Sequence, residues 1–175
     1  ENASRFARLK QRMMTRAQDI FRSRHLQQAD VVTMCPTAAE AVGRKLFYGK
    51  WLMDKCFPMP CPVSPMCRYQ GEEKKDIILC VGRWDDTFQK RPEMLMATLE
   101  RFYQAGGTAE TRVYGTLTEA LLAWHAQLPP AIADKVKLLG YLQNSLLWEE
   151  YKQARILMCT SLYEGSHNVS AEALC

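Results

Sequence analysis

The sequence of 175 residues predicts an α/β fold organised on a doubly wound, parallel, Rossmann-like sheet, and three observations carry that expectation. From Asp76 onward, four short strand-like runs alternate with longer stretches of helical periodicity. The first of them, Ile77-Ile78-Leu79-Cys80-Val81, is apolar without interruption, the pattern of a parallel strand buried on both faces. Each run ends in glycine or small polar residues, which leaves room at the carboxyl ends of the strands, where such sheets hold ligands.

Composition agrees with a globular chain. Hydrophobic residues make up 47% and charged residues 24%, which excludes disordered and fibrous classes. No apolar run approaches the roughly 20 residues of a membrane span, and the start of the chain has no signal-peptide core, so a cytoplasmic location is expected. The seven cysteines are odd in number, and Cys35, Cys80 and Cys159 sit in strand-like runs as small hydrophobes, which favours a reducing compartment. Cys56, Cys61 and Cys67 match no zinc spacing and have no histidine beside them, so they read as loop thiols. Asn2-Ala3-Ser4 and Asn168-Val169-Ser170 fit the glycosylation pattern, which matters only in a secreted protein.

The net charge of +4 is uneven: residues 1–60 hold eleven Lys and Arg against five Asp and Glu, while residues 61–175 hold twelve against fourteen. The basic excess lies on an amphipathic helix. Phe6, Leu9, Met13, Ala17, Ile20 and Phe21 recur at helical spacing, with Arg5, Arg8, Lys10, Arg12 and Arg16 between them. Over residues 5–24 this pattern suits either a solvated face or peripheral contact with an anionic membrane. Nucleic acid is not an expected partner, because no aromatic residues interleave with the basic ones for stacking.

Asp30 to Pro36 then reads as a buried strand, and Thr37 as the cap of a helix from Ala38 to about Tyr48. Four prolines between Cys56 and Cys67 exclude regular structure there, and Gln70 to Lys75 is polar. Residues 61–75 are therefore expected to link a first domain, 1–60, to a second, 76–175. Within the second, Pro92 opens a helix that runs to about Gln104 and ends at Gly106-Gly107. A strand over Thr111–Tyr114 leads to a helix from Thr118 to about Gln127, halted by Pro129-Pro130. Val136–Leu139 is the third strand, Ser145 caps a helix to about Ala154, and Arg155–Cys159 is the fourth strand. The chain opens on Glu1 and closes on Cys175 within a helical pattern, so it reads as a fragment, and the sheet as truncated.

The fourth strand leads into Glu164-Gly165-Ser166-His167-Asn168-Val169-Ser170-Ala171-Glu172, a strand, turn, helix junction. Unpaired N–H groups of a first helical turn suit a diphosphate, and two carboxylates eight positions apart suit vicinal sugar hydroxyls. After the first strand, Gly82-Arg83 and then Lys90 bring a guanidinium and an ammonium to the same rim, a pair suited to holding a diphosphate and stabilising its charge as it leaves. A nucleotide sugar is the ligand this pattern points to.

The blocks Val81-Gly82-Arg83, Lys90-Arg91-Pro92, Leu139-Gly140-Tyr141-Leu142 and Ser161-Leu162-Tyr163-Glu164-Gly165 with Glu172-Ala173-Leu174 occur in that order. Together they resemble the donor-binding domain of retaining glycosyltransferases of the GT-B fold, family 4, also called glycosyl transferases group 1. The resemblance covers residues 76–175, and residues 1–60 resemble more loosely the end of the acceptor-side domain. It implies transfer of a hexosyl-type sugar from a UDP-, GDP- or ADP-sugar to an acceptor hydroxyl of a glycan, lipid or small molecule, with retention and without metal or cofactor. Arg83, Lys90 and Glu164 would then be catalytic. Gly82, Tyr141, Leu142, Gly165, Ser166, His167, Asn168 and Glu172 would complete the donor site, with Glu172 on the ribose and Tyr141 and Leu142 against the base. A departure stands beside the likeness: the family has Gly-Phe-Gly after its first glutamate, where this chain has Gly165-Ser166-His167. The alternative function is a non-catalytic nucleotide-sugar-binding module.

Overall fold

The computed structural model describes residues 10, 13–15, 18, 20–21, 24–34, 54–164 and 166–175. The chain divides into two compact units, Glu1–Cys61 and Pro62–Cys175. In the first, the described part of the amphipathic stretch is helical, including residues 24–28. Met13, Ile20 and Phe21 are exposed. The rest of that stretch and the helix expected over 38–48 lie outside the described residues.

Strand β1 (Val32–Met34) pairs in parallel with β2 (Cys56–Pro58). This differs from the irregular structure expected of the proline-rich stretch. The pairing ends at Pro58, so the missing N–H falls at the last rung of a two-stranded edge, where it costs one bond and breaks nothing beyond it. Further on, the stretch read as an extended linker contains a 3-10 turn, Pro65–Cys67, capped by the Ser64 hydroxyl. Cys67 is buried there, within the second unit.

The second unit is built on a four-stranded sheet of order β5-β4-β3-β6, all parallel: β3 (Lys75–Gly82), β4 (Glu110–Gly115), β5 (Val136–Gly140) and β6 (Ala154–Met158). Its helices are α1 (Thr87–Lys90), α2 (Pro92–Gln104), α3 (Glu119–Gln127), α4 (Pro130–Ala133), α5 (Asn144–Gln153) and α6 (Asn168–Ala173). Apolar packing covers both faces, as an uninterrupted apolar β3 demands. Ile78 and Cys80 point to one face, where Leu95 and Leu99 of α2 and Leu121 of α3 meet Val113 and Val136. Ile77 and Leu79 point to the other, against Leu147 and Tyr151 of α5, with Val169 and Ala173 of α6 packed alongside. Tyr103 closes the end of α2, its hydroxyl donating to the Ala109 carbonyl at 2.8 Å and meeting the Thr111 hydroxyl at 2.8 Å.

Local chemistry sets the ends of these helices. Thr118, expected as the start of this helix, caps α3 by accepting from the Leu121 amide. Pro129 and Pro130 halt α3 but also start α4, because a proline at the first helical turn lacks only a bond it would not make. Ser145 does not cap α5. The helix begins two residues earlier than a Ser145 cap would place it, on extended Gln143, whose carbonyl accepts the Leu146 and Leu147 amides at 2.9 and 3.0 Å.

Two glycines stand in register at the carboxyl ends of β3 and β4, Gly82 against Gly115. Gly115 has φ +117, and a Cβ there would overlap the Gly82 carbonyl. Gly115→Ala should therefore lower unfolding free energy by about 3 kcal/mol or more, through strain and displacement of β3 together. A urea melt checks this, and a loss below about 1 kcal/mol would show that the two strand ends separate freely.

Candidate functional site

The strand order places the site. The chain steps from β3 to β4 to β5 in one direction and then returns to lay β6 on the other side of β3. The loops that leave β3 and β6 therefore meet at a reversal of strand order, the crevice in which sheets of this kind hold ligands.

The loop after β3 is shaped by its own side chains. Asp86 caps α1 by accepting from the Gln89 amide at 3.1 Å. Arg91 ends α1 at φ +52, a left-handed conformation uncommon outside glycine, and Pro92 then starts α2. The backbone is held there from across the crevice. The Thr160 hydroxyl donates to the Lys90 carbonyl at 2.8 Å, and the Leu162 amide donates to the Gln89 carbonyl at 2.7 Å.

These bonds bring Lys90 onto Glu164. Lys90 Nζ lies 2.5 Å from Glu164 Oε1, with the two side chains 12% and 19% exposed. Gln89 Nε2 donates to Glu164 Oε2 at 3.1 Å and to the Tyr163 carbonyl at 3.1 Å. Burial raises the Glu164 pKa, but hydrogen bonds from Lys90 and Ser161 and the Lys90 and His167 charges outweigh it and leave it below the usual value of 4.5. His167 Nε2 stands 3.8 Å from the same Oε1, and its Nδ1 is 2.5 Å from the Ser170 hydroxyl.

A cavity of about 290 Å³ opens beside this cluster, lined by Gly82, Arg83 and Lys90 from the β3 side and by Tyr141, Leu142 and Val169 from the other. Arg83 is exposed and loosely paired with Asp86 at 3.6 Å. Tyr141 is 83% exposed, whereas Leu142 packs against the second core. Ser166 accepts the Asn168 amide through its carbonyl at 2.9 Å, and Asn168 opens α6 with its side chain exposed. Gly165 lies outside the described residues.

Glu172 is placed differently from the others. Burial pushes the Tyr151 phenol far above its ordinary range, and the Glu172 carboxylate beside it adds to that shift. The two groups face each other on the α5 side, without a bond to the Tyr151 hydroxyl of hydrogen-bonding geometry. The structure thus unites Arg83, Lys90, Tyr141 and Leu142 on one cavity and Glu164 and His167 beside it, while Glu172 turns toward Tyr151. Sequence reasoning missed Gln89 and Ser161 as partners of Glu164. A neutral polar residue in a loop has no signal of its own, although Gln89 adjoins the singled-out Lys90.

The family match falls within this unit, and the structural matches extend beyond it. Residues 75–175 match the family model described as glycosyl transferases group 1. A search of curated proteins finds no match. Among solved structures, a TarM variant from S. aureus in complex with fondaparinux, alpha-GlcNAc-glycerol and UDP has a TM-score of 0.64 at 14% identity, covering 85% of this chain and 28% of that one. The pneumococcal O-GlcNAc transferase GtfA in complex with UDP and GlcNAc has a TM-score of 0.63 at 15% identity, covering 88% of this chain and 30% of that one. The catalytic domain of starch synthase IV from Arabidopsis thaliana, bound to ADP and acarbose, has a TM-score of 0.58 at 15% identity, covering 85% and 38%. At these identities the likeness establishes the fold, which is of the GT-B type. The chain spans 28% to 38% of the lengths of these three proteins.

The depressed Glu164 pKa carries a stability prediction. A carboxylate whose folded pKa lies below its unfolded value stabilises the fold above that unfolded value and loses the effect as pH falls through the folded pKa. Glu164→Gln should cost about 1 kcal/mol near neutral pH, and the cost should shrink steadily below about pH 4. Thermal melts of both proteins between pH 3 and 7 measure it, and a cost that stayed constant across that range would contradict the ion pair.

Proposed function

The chain belongs to the glycosyl transferases group 1 family, and from that premise we propose that it contributes the donor side of a retaining glycosyltransferase acting on nucleoside diphosphate sugars. The observation that carries this reading is the convergence of Arg83 and Lys90 on one cavity at the carboxyl ends of β3, β4 and β5, with Lys90 bonded to Glu164 across the strand-order reversal. A diphosphate in that cavity would meet the Lys90 ammonium and the Arg83 guanidinium, the two groups that neutralise charge as the sugar departs. Glu164, an acceptor-only carboxylate beside Lys90, would orient hydroxyls of the transferred sugar. Tyr141 and Leu142, on the opposite lining, would face the base and ribose. UDP and ADP in the TarM, GtfA and starch synthase complexes support a nucleoside diphosphate as the ligand.

Catalysis here is positioning and electrostatics. Holding the sugar against an acceptor hydroxyl removes the entropy of encounter, and each well-placed donor on the leaving group contributes about 3 kcal/mol to the transition state. Glu172 keeps its proposed ribose contact only if it turns from Tyr151 toward the cavity, so donor binding would include a rotamer change there. We place residues 1–60 at the end of an acceptor-side domain, a reading in keeping with the parallel pairing of β1 and β2. Exposed Met13, Ile20 and Phe21 near Lys10 and Arg24 suit peripheral contact of that part with an anionic membrane.

Calorimetric titration with UDP-, GDP- and ADP-sugars tests the donor site. One of the three should bind, and Arg83→Ala should weaken that binding about tenfold while leaving the melting temperature unchanged, since its side chain is 70% exposed. Binding that is indifferent to both Arg83→Ala and Lys90→Ala would place the diphosphate elsewhere. In the intact enzyme, loss of either cation should lower turnover by about two orders of magnitude.

A further inference from the structure

We propose that His167 is the reserve partner of Glu164, taking over its carboxylate when Lys90 leaves it for a donor diphosphate. The inference rests on the donor site proposed above, and it concerns the position at which this chain departs from the Gly-Phe-Gly of the family it resembles.

Glu164 Oε1 is where two groups capable of positive charge converge. Lys90 Nζ holds it at 2.5 Å, and His167 Nε2 waits at 3.8 Å. In this arrangement the Lys90 charge is spent on a carboxylate, whereas its proposed task lies on a diphosphate in the adjoining cavity. A diphosphate offers Lys90 the larger charge. Withdrawing the ammonium from a carboxylate only 19% exposed, with nothing in its place, would leave a part-buried charge short of a counter-ion.

His167 is built to fill that place. The Ser170 hydroxyl anchors Nδ1 at 2.5 Å, which fixes the ring with Nε2 toward Glu164. A carboxylate facing Nε2 favours the proton on that nitrogen, so in the neutral ring Ser170 donates to Nδ1. Once Lys90 has moved, the carboxylate acts on the imidazole alone, and the ring takes a proton from solvent at Nδ1. Nδ1–H then donates to the Ser170 oxygen, whose own proton rotates away.

The surrounding charges allow this. Lys90 approaches from the end of α1, Glu164 from the loop after β6, and Ser170 from α6, with the Cys159 thiol 3.8 Å behind Ser170. Desolvation is the largest of the causes that raise the Cys159 pKa, so that thiol stays neutral near pH 7. Donor binding thus becomes proton-coupled, and donor affinity falls as pH rises from 6 to 8, because the bound state holds the extra proton.

The proposal is tested first without ligand, by a double-mutant cycle of Lys90→Met and His167→Asn read as melting temperature at pH 6 and pH 8. At pH 6, His167→Asn should lower the melting temperature of the Lys90→Met protein by at least ~2 °C more than that of the wild type, an excess that disappears at pH 8. Equal losses in both backgrounds at both pH values overturn the proposal. Lys90→Gln carries the same cycle should Lys90→Met fail to fold. Calorimetry with UDP-glucose, GDP-mannose and ADP-glucose at pH 7, in buffers of different ionisation enthalpy, then follows the exchange itself. Wild-type binding should be accompanied by proton uptake and His167→Asn binding by none, since the sugar diphosphate does not titrate in this range. Binding without proton uptake overturns the exchange. Failure of all three nucleotide sugars to bind sinks the donor-site reading instead, and the mutant cycle still decides whether His167 can hold Glu164.

Discussion

The rim of the second unit depends on β6 pairing with β3, on the side away from β4, because that pairing brings the last loop of the chain back to the first loop of the sheet. Residues seventy or more positions apart become neighbours by it. Lys90 meets Glu164, Thr160 meets the Lys90 carbonyl, and Leu162 meets the Gln89 carbonyl. Had β6 continued outward beyond β5, the same residues would have ended three strand positions apart, at a separation of roughly 14 Å. The cavity at the rim follows from the topology before any side chain is considered.

Close approach of the backbone sharpens that topology. Gly82 and Gly115 stand in register with no room for a Cβ at Gly115, so β3 and β4 end side by side at the cavity wall. Trp84 seals the corner beneath. It is 2% exposed, its ring lies where a Cβ on Gly82 would meet it, and its indole N–H donates to the Tyr114 carbonyl at 3.0 Å. Arg83, one residue before this fixed point, is exposed and only loosely paired with Asp86, and Lys90, at the end of α1, is tied into the ion pair with Glu164. One cation is therefore exposed and the other held.

The electrostatics of the rim are those of a set charge. Glu164 gathers Lys90, Gln89, Ser161 and His167, and their combined pull overcomes the burial that would otherwise neutralise it. Interactions of this kind strengthen where water is excluded and weaken where it is admitted. The hydrogen bonds and charges around it, rather than its half-buried position, keep Glu164 a carboxylate in all but acid solution.

Much of this was written in the sequence. An unbroken apolar run such as Ile77–Val81 has no stable place except inside a sheet covered on both faces, and glycine after a strand frees its carboxyl end. Fold class, the four strands and the identity of Arg83, Lys90 and Glu164 as rim residues are local consequences of that kind. Other features were not local. The β1 and β2 pairing at a proline depends on a partner more than twenty residues away, the start of α5 on a backbone conformation at Gln143, and the choice of Gln89 over any other polar loop residue on a contact across the crevice. Glu172 shows the limit most plainly: its spacing from Glu164 is a property of the chain, but its direction is set by α6 packing against α5, which turns it toward Tyr151. Sequence by itself determined which groups could serve a diphosphate and a sugar, because residue type fixes charge and hydrogen-bonding capacity. Only the tertiary structure decided which of them meet, because contacts between distant residues depend on strand order and helix packing.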